Sequence, residues 1–263
     1  MGKMVLSGLF GMLGALLLVS SASAQLSVGN SFVTDGTKLY MVQPSTTLVY
    51  TVGLLGHNVT SLCRNADTGG GTALYGVDND GSEIYQINLS TGAANPFLST
   101  GFSPNTYLAA SMTYLDGYFY VTALQDFQTG SLMHKVNAST GAVTNFGAIG
   151  IFVPGLAHDP TYGLVSLDRT VDEYILAIST SDGSLSVIAY TQDFDSPAAG
   201  DDGNGTIWSV KLVNGPNGTT SSALYTVLPW HTRFSHLRGI RHIGYKDAKS
   251  NSAHAPANAA SAA

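Results

Sequence analysis

The sequence predicts an all-β fold, a β-propeller of four-stranded antiparallel blades, and three observations carry the prediction. A unit of short strands and turns recurs about every 42 to 45 residues. It is plainest in Thr72-Ala-Leu-Tyr-Gly-Val-Asp-Asn-Asp-Gly-Ser-Glu-Ile-Tyr-Gln-Ile-Asn-Leu-Ser-Thr-Gly92 and returns as LDGYFYVTAL followed by SLMHKVNASTGAVTNF. A period of this length with several strands per unit is the mark of one blade per repeat. Charged residues make up only 11% of the chain and Glu83 and Glu173 are its only glutamates, which leaves little for solvent-facing amphipathic helices. Gly, Ser, Thr and Tyr take their place, the balance of strands and turns. Each strand also carries apolar residues on both alternating faces, as a sheet sandwiched between two neighbours requires.

Laid over one another, the repeats give first strands that end in an Asp turn. These are Phe32-Val-Thr-Asp35, Leu62-Cys-Arg-Asn-Ala-Asp67, Met112-Thr-Tyr-Leu-Asp116, Leu156-Ala-His-Asp159 and Ala198-Ala-Gly-Asp-Asp202. Second strands follow at Lys38-Leu-Tyr-Met-Val, Ala73-Leu-Tyr-Gly-Val, Tyr118-Phe-Tyr-Val-Thr, Tyr162-Gly-Leu-Val-Ser-Leu and Thr206-Ile-Trp-Ser-Val. Third strands begin at Thr47, Glu83, Leu132, Glu173 and Ala223. Turns to the fourth strands read Asn88-Leu-Ser-Thr-Gly92, Asn137-Ala-Ser-Thr-Gly141 and Ser179-Thr-Ser-Asp-Gly183, where Asn or Ser opens the turn through its side chain and Gly supplies the left-handed residue that closes it. Five blades are expected, six being the alternative. Arg238-Gly-Ile-Arg-His-Ile-Gly-Tyr245 stands alone as a further first strand, and either it or Leu26 to Phe32 would complete another blade, because a ring has to close.

The chain ends frame this domain. Lys3, an apolar run from Met4 to Val19 and the small residues Ala22 and Ala24 read as a signal peptide over residues 1–24, with cleavage before Gln25. The run is too short, and too interrupted by glycine, for a spanning helix. A single propeller domain is expected over 25–247, followed by an Ala/Ser-rich tail over 248–263 that has no bulky apolar residue to bury and should be disordered. The expected location is secreted and extracellular, or periplasmic in a bacterium, with no membrane span after cleavage. A net charge of −6 argues against nucleic acid as a partner. The single cysteine, Cys63, allows no intramolecular disulfide and is expected to be a buried, inert thiol. Sequons at Asn58, Asn88, Asn137, Asn204 and Asn217 are candidate glycosylation sites, with Asn88 and Asn137 explained first by turn chemistry.

LDGYFYVT and GLAHDPTYGLV, the clearest repeats, resemble the secreted propeller group that includes the YWTD repeats, the NHL repeats and the quinoprotein-like propellers, over most of residues 30 to 228. The resemblance implies the fold and not one function, since these families bind proteins, RNA, sugars or cofactors on the same scaffold. The Trp and second Asp of the YWTD tetrad are missing from every unit.

In such a fold the first strands line the central channel, so polar residues breaking into them are the ligand-binding candidates: Arg64, Tyr114, His158, Arg241 and His242. Together they would form a cationic, hydrogen-bonding mouth for an anionic or sugar ligand, the plainer reading being that they satisfy backbone groups of half-wet strands. Residues 230–242 hold three histidines and three arginines, at spacings that match no zinc motif. Asp193, Asp195, Asp201 and Asp202, with Asn204, crowd one loop and are the weak metal candidates. Calcium is the one cofactor they suggest, although Asp201 and Asp202 also fall on the recurrent turn. Asp78-Asn-Asp-Gly81 is expected to be a hairpin turn. The motifs of serine hydrolases, zinc peptidases and P-loop enzymes are absent. Glu83 and Glu173 occupy the same repeat position, which suggests structure rather than a glycosidase pair. The sequence therefore points to a monomeric recognition or scaffold module for an extracellular protein or carbohydrate, without an evident catalytic residue. The alternative is a metal-assisted hydrolase or glycosidase at the channel mouth.

Overall fold

A computed structural model describes residues 31–43, 48–65, 73–126, 130–167, 174–190, 198–201, 207–214 and 220–227, the last three segments as backbone only. The signal peptide and tail expected from the sequence lie outside these residues. So do Arg241, His242, Asp193, Asp195, Asp202, Asn204 and Asn217.

The described residues are all β. Strands β1 (Ser31–Thr34), β2 (Gly36–Gln43), β3 (Leu48–Arg64), β4 (Leu74–Asp78), β5 (Glu83–Ile87) and β6 (Ala94–Ser99) form a first sheet in that order. The second sheet is β7 (Leu108–Leu115), β8 (Tyr118–Asp126), β9 (Gly130–Asn137) and β10 (Val143–Ala148). The third is β11 (Leu156–Asp159), β12 (Gly163–Leu167), β13 (Tyr174–Ile178) and β14 (Leu185–Tyr190). The fourth comprises β15 (Ala198–Asp201), β16 (Ile207–Asn214) and β17 (Thr220–Val227). Consecutive strands pair antiparallel, so two complete four-stranded meanders have the form of propeller blades. Strand β3 lies against β7, β7 against β11 and β11 against β15, and β15 comes back to touch β3.

The first sheet departs from the repeat pattern. The sequence separates a third strand starting at Thr47 from a new first strand at Leu62, yet β3 runs unbroken through both. Val59 faces Gly36 on one edge and Asp78 on the other, so β2 pairs with the first part of β3 and β4 with the second. Between Leu48 and Arg64 there is no Asp-Gly or Asn-Gly pair to turn the chain back. Gly56, at φ 79°, allows only a local irregularity. The first unit therefore has no fourth strand of its own and runs directly into the next.

Packing follows the period of two. On the second sheet, Met112, Tyr114, Phe119, Val121, Ala123 and Val136 face the first sheet and join Cys63, Tyr75, Val77 and Ile84 in one core. Leu115, Tyr120 and Met133 point the other way and pack with Leu156, Leu164 and Ile178 of the third sheet. The third sheet repeats the division, since Ala157, Val165 and Ile175 form a separate cluster on its far side. Alternation on both faces of the second sheet therefore reports its two packed neighbours. Cys63 is buried within the first of these cores, as its apolar sequence context predicts.

Local turn chemistry sets the strand ends. Asn88 Oδ1 accepts from Ser90 N at 2.9 Å and Thr91 N at 3.1 Å, Gly92 N donates to Asn88 O at 2.7 Å, and Gly92 takes φ 80°. Asn137 repeats this pattern toward Ser139, Thr140 and Gly141. Asp116 and Gly117, at φ 50° and 82°, make the two-residue turn between Leu115 and Tyr118, where both central residues need positive φ. Asp78 to Gly81 closes the β4–β5 hairpin, with Gly81 N donating to Asp78 O at 3.1 Å.

Candidate functional site

A cleft of about 580 Å³ opens between the second and third sheets, at the end where the β7–β8, β11–β12 and β13–β14 turns meet. Leu115, Leu164 and Ile178 border it from within the core, where they are closed off from solvent. Its rim carries Asp116, His158, Thr161, Tyr162, Ser179 and Thr180. Core and rim meet here because Leu115 and Ile178 end β7 and β13 and Leu164 stands near the start of β12, with polar turn residues next to each.

The rim is held by backbone bonds. Asp159, only 1% exposed, accepts from Thr161 N at 2.8 Å and Tyr162 N at 2.9 Å through Oδ1, which fixes the β11–β12 turn behind the cleft. On the facing turn Ser179 N donates to Ser184 O at 2.8 Å and Gly183 N to Ser179 O at 2.9 Å. Lys135 Nζ donates to Thr180 O at 3.5 Å while lying 4.2 Å from the centre of the Tyr118 ring, so one cation sits against this wall.

The residues singled out from sequence go to different places. His158 is half-buried and lines the cleft. Tyr114 packs its ring edge-on to Phe119 at 5.2 Å and is 6% exposed, inside the core between the first and second sheets. Arg64 ends β3, half-buried and opposite Leu74, and is not part of the cleft lining. Asp201 ends β15, described by its backbone alone. Of the sequons, Asn58 and Asn88 are exposed and Asn137 is half-buried. In the sequence Asp116, Ser179 and Thr180 stand out only as turn residues, and Thr161 carries no signal of its own. The signal that could have found them is that the Asp turns and the Ser179 turn both close hairpins at one end of neighbouring repeats.

Other ionisable groups are used structurally. Asp78 Oδ2 accepts from Ser82 Oγ at 2.9 Å and its Oδ1 from Glu83 N at 3.2 Å, while Asp80 accepts from Ser82 N at 3.0 Å and from Asn105 N. Burial holds the Asp78 carboxyl above its ordinary range. Burial also pushes Asp80 upward, but the hydrogen bonds from Asn105 and Ser82 outweigh it and leave that carboxyl lowered. Burial, with the nearby charges of Asp78, Glu83 and Asp80, pushes the Tyr85 phenol up to about 12. Among the described residues no three His, Cys, Asp or Glu side chains converge as a metal-ligand set, and no helix is long and apolar enough to cross a membrane.

No family model matches the sequence, and no curated protein matches it. Among solved structures, a chain of a nidogen/laminin complex is similar, with a TM-score of 0.47 and 11% identity over 77% of this chain and 76% of that one. A likeness of that degree does not identify a function.

Proposed function

We propose that this protein is a secreted β-propeller that recognises an extracellular protein or glycan through the end of the ring bearing the His158 cleft. The observation that carries the reading is the cleft itself: an open recess of about 580 Å³ with convergent polar rim groups and walls fixed by backbone hydrogen bonds. Its size falls within the roughly 300–1,000 Å³ of small-ligand sites. A five-bladed ring is the architecture assigned here. The support for five is the five first-strand turns of the sequence; β3, β7, β11 and β15 lie in series and β15 approaches β3. The remaining unit is β1, β2 and the first part of β3, which belong to the same sheet as β4 to β6 and share a core with them through Leu39, Leu55, Tyr85 and Ile87. The leader over residues 1–24 delivers the domain outside the cell, and the protein acts as a monomer.

The test uses residues 25–263, applied to a glycan array and to a panel of extracellular-matrix proteins, for the wild type and Thr161→Trp. Thr161 is exposed, so a tryptophan there fills the cleft mouth without disturbing the core. Binding by the wild type that is lost in the variant, at unchanged melting temperature, supports the reading. Binding to neither panel, or binding unaffected by the tryptophan, removes it.

A further inference from the structure

We infer that residues 238–245 dock as an outermost strand along the open edge of the first part of β3, so that both ends of the domain share one sheet. The inference does not depend on what the cleft binds. It begins with where β3 is exposed. Third strands elsewhere are buried: Ile84 and Tyr85 on β5, Met133 and Val136 on β9, Ile175 and Leu176 on β13. The first part of β3 is the third strand of its unit, yet there Leu48, Val49, Tyr50 and Leu54 are 48, 37, 45 and 66% exposed. Leu48, Val49 and Tyr50 are successive, so apolar side chains stand exposed on both faces of the strand.

A missing neighbour accounts for the difference. Strands β5, β9 and β13 are each flanked by a fourth strand, β6, β10 or β14. Among the described residues, the part of β3 before Val59 pairs with β2 alone. Its other edge presents backbone N–H and C=O groups beside apolar side chains, the combination that draws in a further strand.

The chain that follows β17 selects the occupant. Within a sheet the fourth strand starts six or seven residues after the third ends, as from Ile87 to Ala94, Asn137 to Val143 and Ile178 to Leu185. Passage to a new sheet takes eight or nine, as from Ser99 to Leu108, Ala148 to Leu156 and Tyr190 to Ala198. Arg238, where the strand-like stretch begins, lies eleven residues after Val227, too far for a hairpin and far enough for a passage. Strand β15 touches β3, so the fourth sheet borders the first unit. Residues 228–237 can span up to about 33 Å, against about 10 Å between packed sheets. In a strand over 238–245, Ile240 falls on one face and Ile243 and Tyr245 on the other, which suits an edge that is apolar on both faces. The tail beyond 248 has no bulky apolar residue to offer. Nor is 238–245 needed as a first strand, because β1 already holds that place beside β2.

The test is amide hydrogen exchange on residues 25–263, resolved to single residues. From Val49 to Leu55, N–H groups point alternately toward β2 and away from it. Both sets are expected to be protected, the outward set by about a hundredfold or more, and residues 238–245 to be protected with them. Ile240→Pro and Arg241→Pro each delete one N–H, and because neighbouring N–H groups point to opposite sides, one of the two breaks the ladder to β3. That variant should lose the outward protection while the amides of β8 and β9 keep theirs, the sign that the rest of the domain is folded. Free exchange in the wild type, either of the outward amides or of residues 238–245, overturns the inference. So does outward protection that neither proline removes, which gives the edge to another segment. Protection that rises with protein concentration gives it to a second copy and overturns the inference as well.

Discussion

His134 lies flat against Phe102, ring centroids 3.8 Å apart and planes 2° from parallel, and its Nδ1–H donates to Thr100 O at 2.9 Å. Burial favours the neutral imidazole more than that bond favours the cation, so its pKa is lowered from the usual 6.5. The unfolded chain therefore takes up the proton first. Stability from this site is complete above pH 6.5 and falls as pH drops through 6.5 toward the folded value. The expected outcome is a flat melting temperature from pH 8 to about 7 and a decline below about 6.5. In His134→Gln that decline flattens, and thermal melts across the range check it; an unchanged slope in the variant assigns the decline to another group. Asp35 acts lower on the scale. Burial raises its carboxyl, but bonds from Thr37 N, Lys38 N, the Tyr40 hydroxyl and the Thr37 hydroxyl outweigh it and bring the pKa from 3.8 to about 2. Its contribution is present above 3.8 and is lost as pH falls through about 2. Asp35→Asn should flatten acid unfolding in that window and leave the melt at pH 7 nearly as steep.

Strand β3 sets the geometry of the first sheet, and two glycines show how. A Cβ on Gly53 would lie 1.8 Å from Thr91 O, and one on Gly92, itself at φ 80°, 2.7 Å from the Gly53 carbonyl carbon. The first part of β3 thus presses its backbone directly onto the β5–β6 turn. Gly53→Ala has to separate these backbones, at a cost of about 3 kcal/mol or more, the upper end for overpacking. Gly117→Ala has open space around the new methyl but φ 82°, so it should cost only about 1–2 kcal/mol. Urea denaturation of the two variants distinguishes steric from conformational strain, and equal losses would show that the Gly53 contact yields easily. Period and turn residues made both hairpins readable in the sequence. They did not reveal the continuity of β3, because a strand that serves two neighbours has the same alternation as two strands in succession.

Whole-molecule stability rests on the contacts between sheets. Phe119, 0% exposed, meets Tyr75 at 5.0 Å, Phe97 at 6.3 Å and Tyr114 at 5.2 Å, joining the first and second sheets through one aromatic cluster. Phe119→Ala should cost about 3–5 kcal/mol, read as a lower urea midpoint. Since the second sheet also supplies Leu115, Tyr120 and Met133 to the third, loss at Phe119 is expected to lower the midpoint of a single transition. Two separated transitions would show that the sheets unfold independently.

The sequence by itself determined the all-β class, the repeat, the apolar faces and nearly every turn. These depend on neighbours one to five residues apart, and a side chain such as Asn88 or Asp159 bonds to backbone within that reach. Tertiary structure alone decided which polar residues share a site. Tyr114 and His158 are equivalent by repeat, both near the end of a first strand. Both lie on the face turned to the preceding sheet, Tyr114 with Met112 and His158 two residues after Leu156, yet Tyr114 packs into the core against Phe119 and His158 lines the cleft. Asp116, Thr161 and Thr180 come from three different turns, and only the packing of the second sheet on the third brings them to one rim.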